Sequence, residues 1–292
     1  MFEKHWRWWC AGVFALTALL HLAPVENYLD NDDAWNYVLE SQMFLDGEGS
    51  AWVSGDSYFP RQNLLRIIPS LSFVTRYGLF GLAMPAWHIP SILLHALNAL
   101  MLILLARRLG LGRFTAIMSG ALFGLSPLHS HTVSWIGGSF DLFCGAFFLG
   151  ALLAFSHRRT ALGLLMTAGA MMSKESGTMI GPILALYVLF FESNEGWKHA
   201  VKRLWPYALV CIGVAGLRVI QVAAMGSIDQ AGLPARSIGF DGTSLFVVGP
   251  QTLLHSISCG LYSVVELDPD IFSLLLGGLL LIALAVGFKR NT

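Results

Sequence analysis

Nine apolar segments follow one another along this chain, at about Trp8–Pro24, Trp87–Ala106, Phe114–Leu125, Phe140–Phe155, Ala161–Met172, Thr178–Phe191, Trp205–Met225, Gln251–Val265 and Ile271–Phe288. A bilayer core about 30 Å thick takes about 20 helical residues to cross. The first, second, seventh and ninth segments are the surest spans. The four between Phe114 and Phe191 are short, and must borrow flanking residues, thin the bilayer or pack inside a bundle. Nine is therefore a ceiling, and the expected fold is all-α: a polytopic integral membrane helical bundle of about 7–9 membrane helices. Composition argues against a soluble globule, because 12% charged and 55% hydrophobic residues, with mean hydropathy +0.63, fall far from the roughly 25% charged residues usual in soluble domains. No soluble domain, internal repeat or low-complexity tail is visible, so residues 1–292 read as a single membrane domain.

The basic residues orient the bundle. Lys4 and Arg7, then Arg107, Arg108 and Arg113, then Arg158 and Arg159, then Lys198, Lys202 and Arg203 mark every second connection as cytoplasmic, as alternating spans require. The N-terminus is then cytoplasmic, with the first apolar run read as an uncleaved span in a bacterial inner membrane or an ER-type membrane. Residues 25–86 and 226–250 become outer loops, and Ser126–Ser139 and the Ser173–Ser176 turn lie on the same face. Lys289 and Arg290 break the pattern: either Gln251–Val265 is not a full span or the rule fails there. Cys10, Cys144, Cys211 and Cys259 stand far apart in apolar stretches, which suggests neither a disulfide framework nor a metal cluster.

The first outer loop is acidic. Between Val25 and Pro60 stand eight carboxylates and no Lys or Arg, although the whole chain has zero net charge. Trp35, Val38, Leu39 and Phe44 recur at helical spacing after Asn31-Asp32-Asp33, a start suited to an N-cap. A second amphipathic stretch from Asn63 to about Val74 puts Leu64, Leu65, Ile68 and Leu71 on one side and Arg66 on the other, with a kink expected at Pro69. Two juxtamembrane helices lying on the outer surface would account for both. Asp32 and Asp33 have a plain role as helix cap and first-turn acid. They also have a chemical one, since a partly desolvated carboxylate can take the proton of an attacking hydroxyl.

Polar residues at membrane depth form the other candidates. His95 and Asn98 share one face of the second span, where an interhelical hydrogen bond competes with a cavity-lining role. His129 and His131 lie in one outer turn and Asp141 follows at the start of the next span. An H-x-H pair without a clear third ligand gives only weak support for zinc, so no metal site is assigned. Lys174 and Glu175 most simply form an outer-surface ion pair. Arg61, Arg66, Arg76, Arg218 and Arg236 are the cations outside the cytoplasmic loops. Arg218, inside an apolar segment, is the strongest candidate for a buried anion such as phosphate.

Taken in order, Asp32-Asp33, Leu94–Leu100 followed by Arg107–Gly110, Pro127–Leu142 and Met172–Gly177 resemble polytopic GT-C glycosyltransferases, in particular the branch of protein O-mannosyltransferases and transmembrane TPR-containing mannosyltransferases. The resemblance covers about residues 1–200. It implies transfer of a sugar from a polyprenyl-phosphate donor to a protein or glycan acceptor on the non-cytoplasmic side, with inversion. Asp32, supported by Asp33, would be the base; Arg61, His95, Asn98, His129, His131, Asp141, Lys174, Glu175 and Arg218 would bind or brace the substrate. Membrane lipid is an expected partner, partner subunits of a membrane complex are compatible with the pattern and nucleic acid is not expected; no cofactor is assigned, and a divalent metal is allowed by the pattern but unsupported by it. The family turn reads His-Pro-x-x-x-Glu and later Gly-Arg-x-Asp-Leu, where this chain has His131 at the acidic position and Ser139 at the basic one. Those departures motivate two alternatives: a catalytically degenerate structural subunit of a membrane complex, and a transporter of a lipid-linked substrate.

Overall fold

A computed structural model describes residues 5–26, 34–47 and 66–226. Asp32, Asp33, Arg61, Arg236, the loop from residue 227 and the last two apolar segments lie outside the described residues. Contacts divide the chain into Met1–Gln230 and Ala231–Thr292, and the description below concerns the first unit.

Every regular element among the described residues is helical. Helix α1 covers Trp6–Leu20. A short helical stretch at Ala34–Leu39 runs into α2, Glu40–Leu45, and α3 follows at Ile67–Phe80. Then come α4 (Met84–Arg108), α5 (Arg113–Gly124), the short α6 (Ser130–Ser134), α7 (Ser139–Ser156), α8 (Thr160–Met171), α9 (Ile180–Phe191) and α10 (Trp197–Gly226). These include one helix for each of the first seven apolar segments. Among the described residues, three stretches, Met84–Arg108, Ile136–Ser156 and Trp197–Leu217, are long and apolar enough to cross a membrane. The short segments do borrow flanking residues: a 3₁₀ turn at Ile136–Gly138 precedes α7 and one at Glu175–Met179 precedes α9. Together they make an all-α membrane bundle.

Helix α4 is its axis. A stripe through Trp87, Ser91, Ile92, His95, Asn98, Ala99, Ile103 and Ala106 is buried, while Leu93, Leu97 and Leu104 are exposed, as expected of a helix with protein on one side and lipid on the other. Close approach to α5 depends on Gly120, where a Cβ would lie 2.2 Å from Ile103 Cγ1 and 2.8 Å from the Ala99 carbonyl oxygen. Small residues at such contacts let backbones meet where no hydrophobic drive distinguishes protein from lipid. On the other flank, Leu105, Ala151, Phe155, Met171, Leu184 and Tyr207 bind α4, α7, α8, α9 and α10 into one apolar cluster.

The two ends of the bundle differ chemically. Arg107 lies over the Trp6 ring at 5.8 Å, Arg108 donates to the Ser156 carbonyl at 2.6 Å, and Arg203 donates to the Phe155 carbonyl at 2.9 Å. The start of α1, the ends of α4 and α7 and the start of α10 thus meet at one basic end. Helices α2 and α3 sit at the opposite end, where Tyr37 and Val38 pack on Phe73, Trp87, Ile136 and Phe140. Helix α3 departs from the expected pattern. Its buried face is Pro69, Ser70, Phe73, Val74 and Arg76, Leu71 is 43% exposed, and Pro69 falls in the first turn, where proline needs no hydrogen-bonded N–H.

Candidate functional site

At the end opposite the basic turns, two segments distant in sequence converge on the start of α7. Asp141 lies in the first turn of α7 and accepts a 2.6 Å hydrogen bond from Lys174 Nζ. Next to it, Arg66 grips Glu175 with both ends of its fork, Nε to Oε1 at 3.3 Å and Nη2 to Oε2 at 3.1 Å. Lys174 and Glu175 therefore do not form the ion pair that adjacency suggests. Lys174 has extended backbone, φ −159° and ψ 157°, and consecutive side chains on an extended backbone point to opposite sides. The Ile68 N–H donates to the Met172 carbonyl at 3.4 Å, which ties the start of α3 to the same turn. All four charged side chains are partly exposed, so the pairs add little stability; their position is what matters.

A third cation sits deeper. Arg76 is 4% exposed and donates from Nη1 to the Trp87 carbonyl at 2.9 Å, while its Nε and Nη2 have no partner. Burial lowers its pKa to about 10, so it remains a cation at neutral pH. Arg66 and Arg76 flank one aromatic cluster: Arg66 lies 5.1 Å from the Phe140 ring, Arg76 5.4 Å from Phe73, and the two rings are 5.6 Å apart. In the sequence both arginines stood outside the cytoplasmic charge pattern, and Arg66 also marked the polar side of its amphipathic stretch.

Between α1, α4 and α5 lies a histidine cluster. His21 and His95 meet edge-on with centroids 4.9 Å apart, and His129 lies 5.3 Å from His95. His95 Nε2 donates to the Gly124 carbonyl at 3.2 Å and His21 Nδ1 to the Thr17 carbonyl at 2.9 Å. The second ring nitrogens, His95 Nδ1 and His21 Nε2, are buried and have no hydrogen-bond partner. Burial lowers the His129 pKa, and the nearby His21 lowers it further. Sequence reading passed over His21; a histidine in the turn that closes the first span was its available signal. Among the described residues, no group of three His, Cys, Asp or Glu side chains is arranged to hold a metal ion.

The other candidates separate. Asn98 donates to the Leu142 carbonyl at 3.0 Å, so it and His95 brace α4 against different neighbours. His131 is exposed and lies 5.7 Å from the Trp135 ring. Ser139 is fully buried and its hydroxyl lies 2.9 Å from Ser91 Oγ. An arginine would not fit in that contact between α4 and α7. Gly138, just before it, could carry no side chain, since a Cβ would fall 1.9 Å from the Thr132 carbonyl oxygen. Arg218 belongs to α10 by its backbone.

Beside this polar end opens an apolar groove between α4, α7 and α8, with a volume of about 530 Å³. Leu94, Leu97 and Met101 of α4, Phe143 and Gly150 of α7 and Met166 of α8 line it, together with His157 and Arg159 of the turn between α7 and α8. From Phe143 to His157 the groove runs along most of α7, roughly 20 Å at 1.5 Å per residue.

An all-α membrane bundle with charged pairs at one end and a long apolar groove along α7 is the class of protein these features define. Comparison with known proteins narrows it. The chain is 28% identical over 176 residues to the protein O-mannosyl-transferase tmtc2 of Xenopus laevis, 31% over 153 residues to TMTC2 of Mus musculus and 24% over 135 residues to TMTC3 of Homo sapiens. The matches take in 51%, 48% and 43% of this chain but 21%, 18% and 15% of those proteins. No known family pattern matches the chain. No solved structure is significantly similar.

Proposed function

We propose that this chain is a membrane glycosyltransferase of GT-C type that moves a sugar, mannose by analogy with the names of its relatives, from a polyprenyl-phosphate donor to a hydroxyl of a protein or glycan on the non-cytoplasmic side. The observation that carries the reading is the junction at the start of α7. Asp141, within a charged cluster, and Phe143, at one end of the groove, both lie in the first turns of α7, so cluster and groove begin at the same level of that helix, on different faces of it. A lipid-linked sugar has that same division: a polar, phosphate-bearing head joined to a long apolar tail. The tail fits the groove, and the head meets the end where Arg66, Arg76 and Lys174 supply positive charge.

The chemistry is displacement at an anomeric carbon. A base takes the proton of the acceptor hydroxyl, the oxygen attacks, and the lipid phosphate leaves carrying negative charge. Cations already in place stabilise that charge without reorganisation. Asp32 is proposed as the base with Asp33 supporting it; Lys174, held by Asp141, and Arg66, held by Glu175, are positioned to receive the phosphate. His95 and Asn98 act as braces, by the carbonyls they bind.

The test is transfer of labelled sugar from a synthetic polyprenyl phosphate to an acceptor peptide by the full chain in proteoliposomes. Asp32→Asn and Asp33→Asn are compared with wild type. Loss of a general base costs roughly 10²- to 10⁴-fold in rate. Full transfer by both variants would end the proposed mechanism.

A further inference from the structure

A second pocket lies at the basic end of the bundle, far along α7 from the charged cluster. It has a volume of about 280 Å³ and is lined by the α7–α8 turn and the first half of α10, including Arg158, Thr160, Lys202, Arg203 and Tyr207. We propose that this pocket binds a phosphate-bearing anion, either the headgroup of an anionic phospholipid or a soluble phosphate.

The charges in the pocket are arranged unequally. Glu192 is committed to Arg203 at 3.2 Å and to His199 at 2.9 Å, and Glu195 lies 3.8 Å from the other nitrogen of His199. Neither Arg158 nor Lys202 has an acidic partner among the described residues. Arg203 is held by the Phe155 carbonyl at 2.9 Å and by the face of the Phe155 ring at 4.0 Å. Its Nε is buried and has no hydrogen-bond partner. A guanidinium held by Glu192 and Phe155 that still has a spare donor, beside two cations without acidic partners, leaves room and charge for a tetrahedral oxyanion.

Two local costs point the same way. Arg158 has φ +58°, a left-handed conformation that glycine adopts freely and side chains do not. Helix α4 ends with the same pair of backbone hydrogen bonds and uses Gly110 there, with φ +91°. The chain therefore accepts strain at the one of these two turns where the side chain faces the pocket. Helix α8 begins at Thr160 with no side-chain cap, so its first N–H groups and the positive end of its dipole are available to an anion. At Gly163 in that turn, a Cβ would lie 2.2 Å from the Tyr207 hydroxyl; glycine lets that hydroxyl approach the start of the helix. Basic pockets between helices at a membrane face are established places for anionic headgroups.

The experiment uses the full chain and two probes. In one arm, nanodiscs of phosphatidylcholine with or without phosphatidylglycerol are used, and retained lipid is counted by native mass spectrometry after transfer to detergent. In the other, inorganic phosphate and pyrophosphate are titrated against the detergent-solubilised protein and the shift in Tm is recorded. Retention of phosphatidylglycerol alone assigns a lipid headgroup, and a phosphate-dependent rise in Tm alone assigns a soluble ligand. Arg158→Gly and Lys202→Gln should each weaken the positive arm about fivefold, and the double variant about 25-fold, at roughly one interfacial charge each. Arg158→Gly keeps the fold, because glycine suits that backbone. Lys198→Gln, which removes the same charge outside the pocket, should change binding less than twofold. Binding in neither arm, wild-type affinity in the double variant, or an equal loss in Lys198→Gln would overturn the proposal.

Discussion

Two residues show how single side chains trade stability for position. Arg158 occupies a left-handed helix terminus at a cost of about 1–2 kcal/mol, of which glycine's extra chain entropy would return about 0.5–1. Arg158→Gly should therefore raise unfolding free energy by about 0.5–1 kcal/mol. Arg158→Ala should not, because alanine keeps the steric penalty; chemical denaturation of the two variants in the same detergent distinguishes them. His129 makes its contribution through pH. Its ring contacts are His95 and Phe123, and the nearby His21 adds to the lowering of its pKa. The folded pKa lies below the ordinary 6.5 because burial disfavours the imidazolium. The unfolded chain then binds the proton more tightly, so the favourable neutral state is fully in force above about pH 6.5 and is lost as pH falls through the folded value. Tm measured from pH 8 down to pH 5 should fall, and His129→Gln should flatten part of that slope. An identical slope in the variant would remove His129 as its source.

At the level of helices, packing distances make the sharpest demand. Gly120 faces Ile103 and the Ala99 carbonyl, and a backbone oxygen cannot swing aside as a side chain can. Gly120→Ala should destabilise the bundle by about 1–3 kcal/mol, as overpacking does. Ile103→Ala combined with it should recover only part, since the carbonyl contact remains; full recovery would mean that α4 and α5 are not so closely apposed. The helices themselves were legible in the sequence: apolar runs at Phe140–Phe155 and Ala161–Met172 became Ser139–Ser156 and Thr160–Met171, because basic turns and apolar length set both limits. The packing faces of α2 and α3 were less legible. Leu71 looked like the packing face of α3, yet Phe73, Val74 and Arg76 are buried, because the face is chosen by Trp87 and Phe140 from other helices rather than by local periodicity. For the same reason the partners of Lys174 and Glu175 could not be read from their adjacency: Asp141 and Arg66 arrive from 33 and 109 residues away.

Across the whole molecule, the proposed activity rests on a polar end and an apolar groove acting on the two halves of one substrate, and that division can be separated kinetically. Gly150 lies in the groove, and a Cβ there would meet Met166 Sδ at 3.1 Å, the far part of a flexible side chain that can move. Gly150→Phe should therefore fill part of the groove while leaving the charged pairs of Asp141 and Glu175 untouched. If the groove holds the lipid tail, tail contacts are the same in ground and transition states, so their loss raises KM for the donor and leaves kcat near wild type. Replacing Lys174 by Met should do the reverse. Its bond with Asp141 is partly exposed, at 32% and 44% for the two side chains, so stability should change little. A cation facing a leaving phosphate, however, acts most strongly on the developing charge and should lower kcat. The contrast also has an internal control in donor length: shortening the polyprenyl chain should raise KM for wild type and close the gap to Gly150→Phe, whose groove no longer distinguishes long tails from short. If Gly150→Phe lowered kcat with unchanged KM at every donor length, while keeping wild-type Tm, the tail would lie elsewhere and the groove would have no part in binding it.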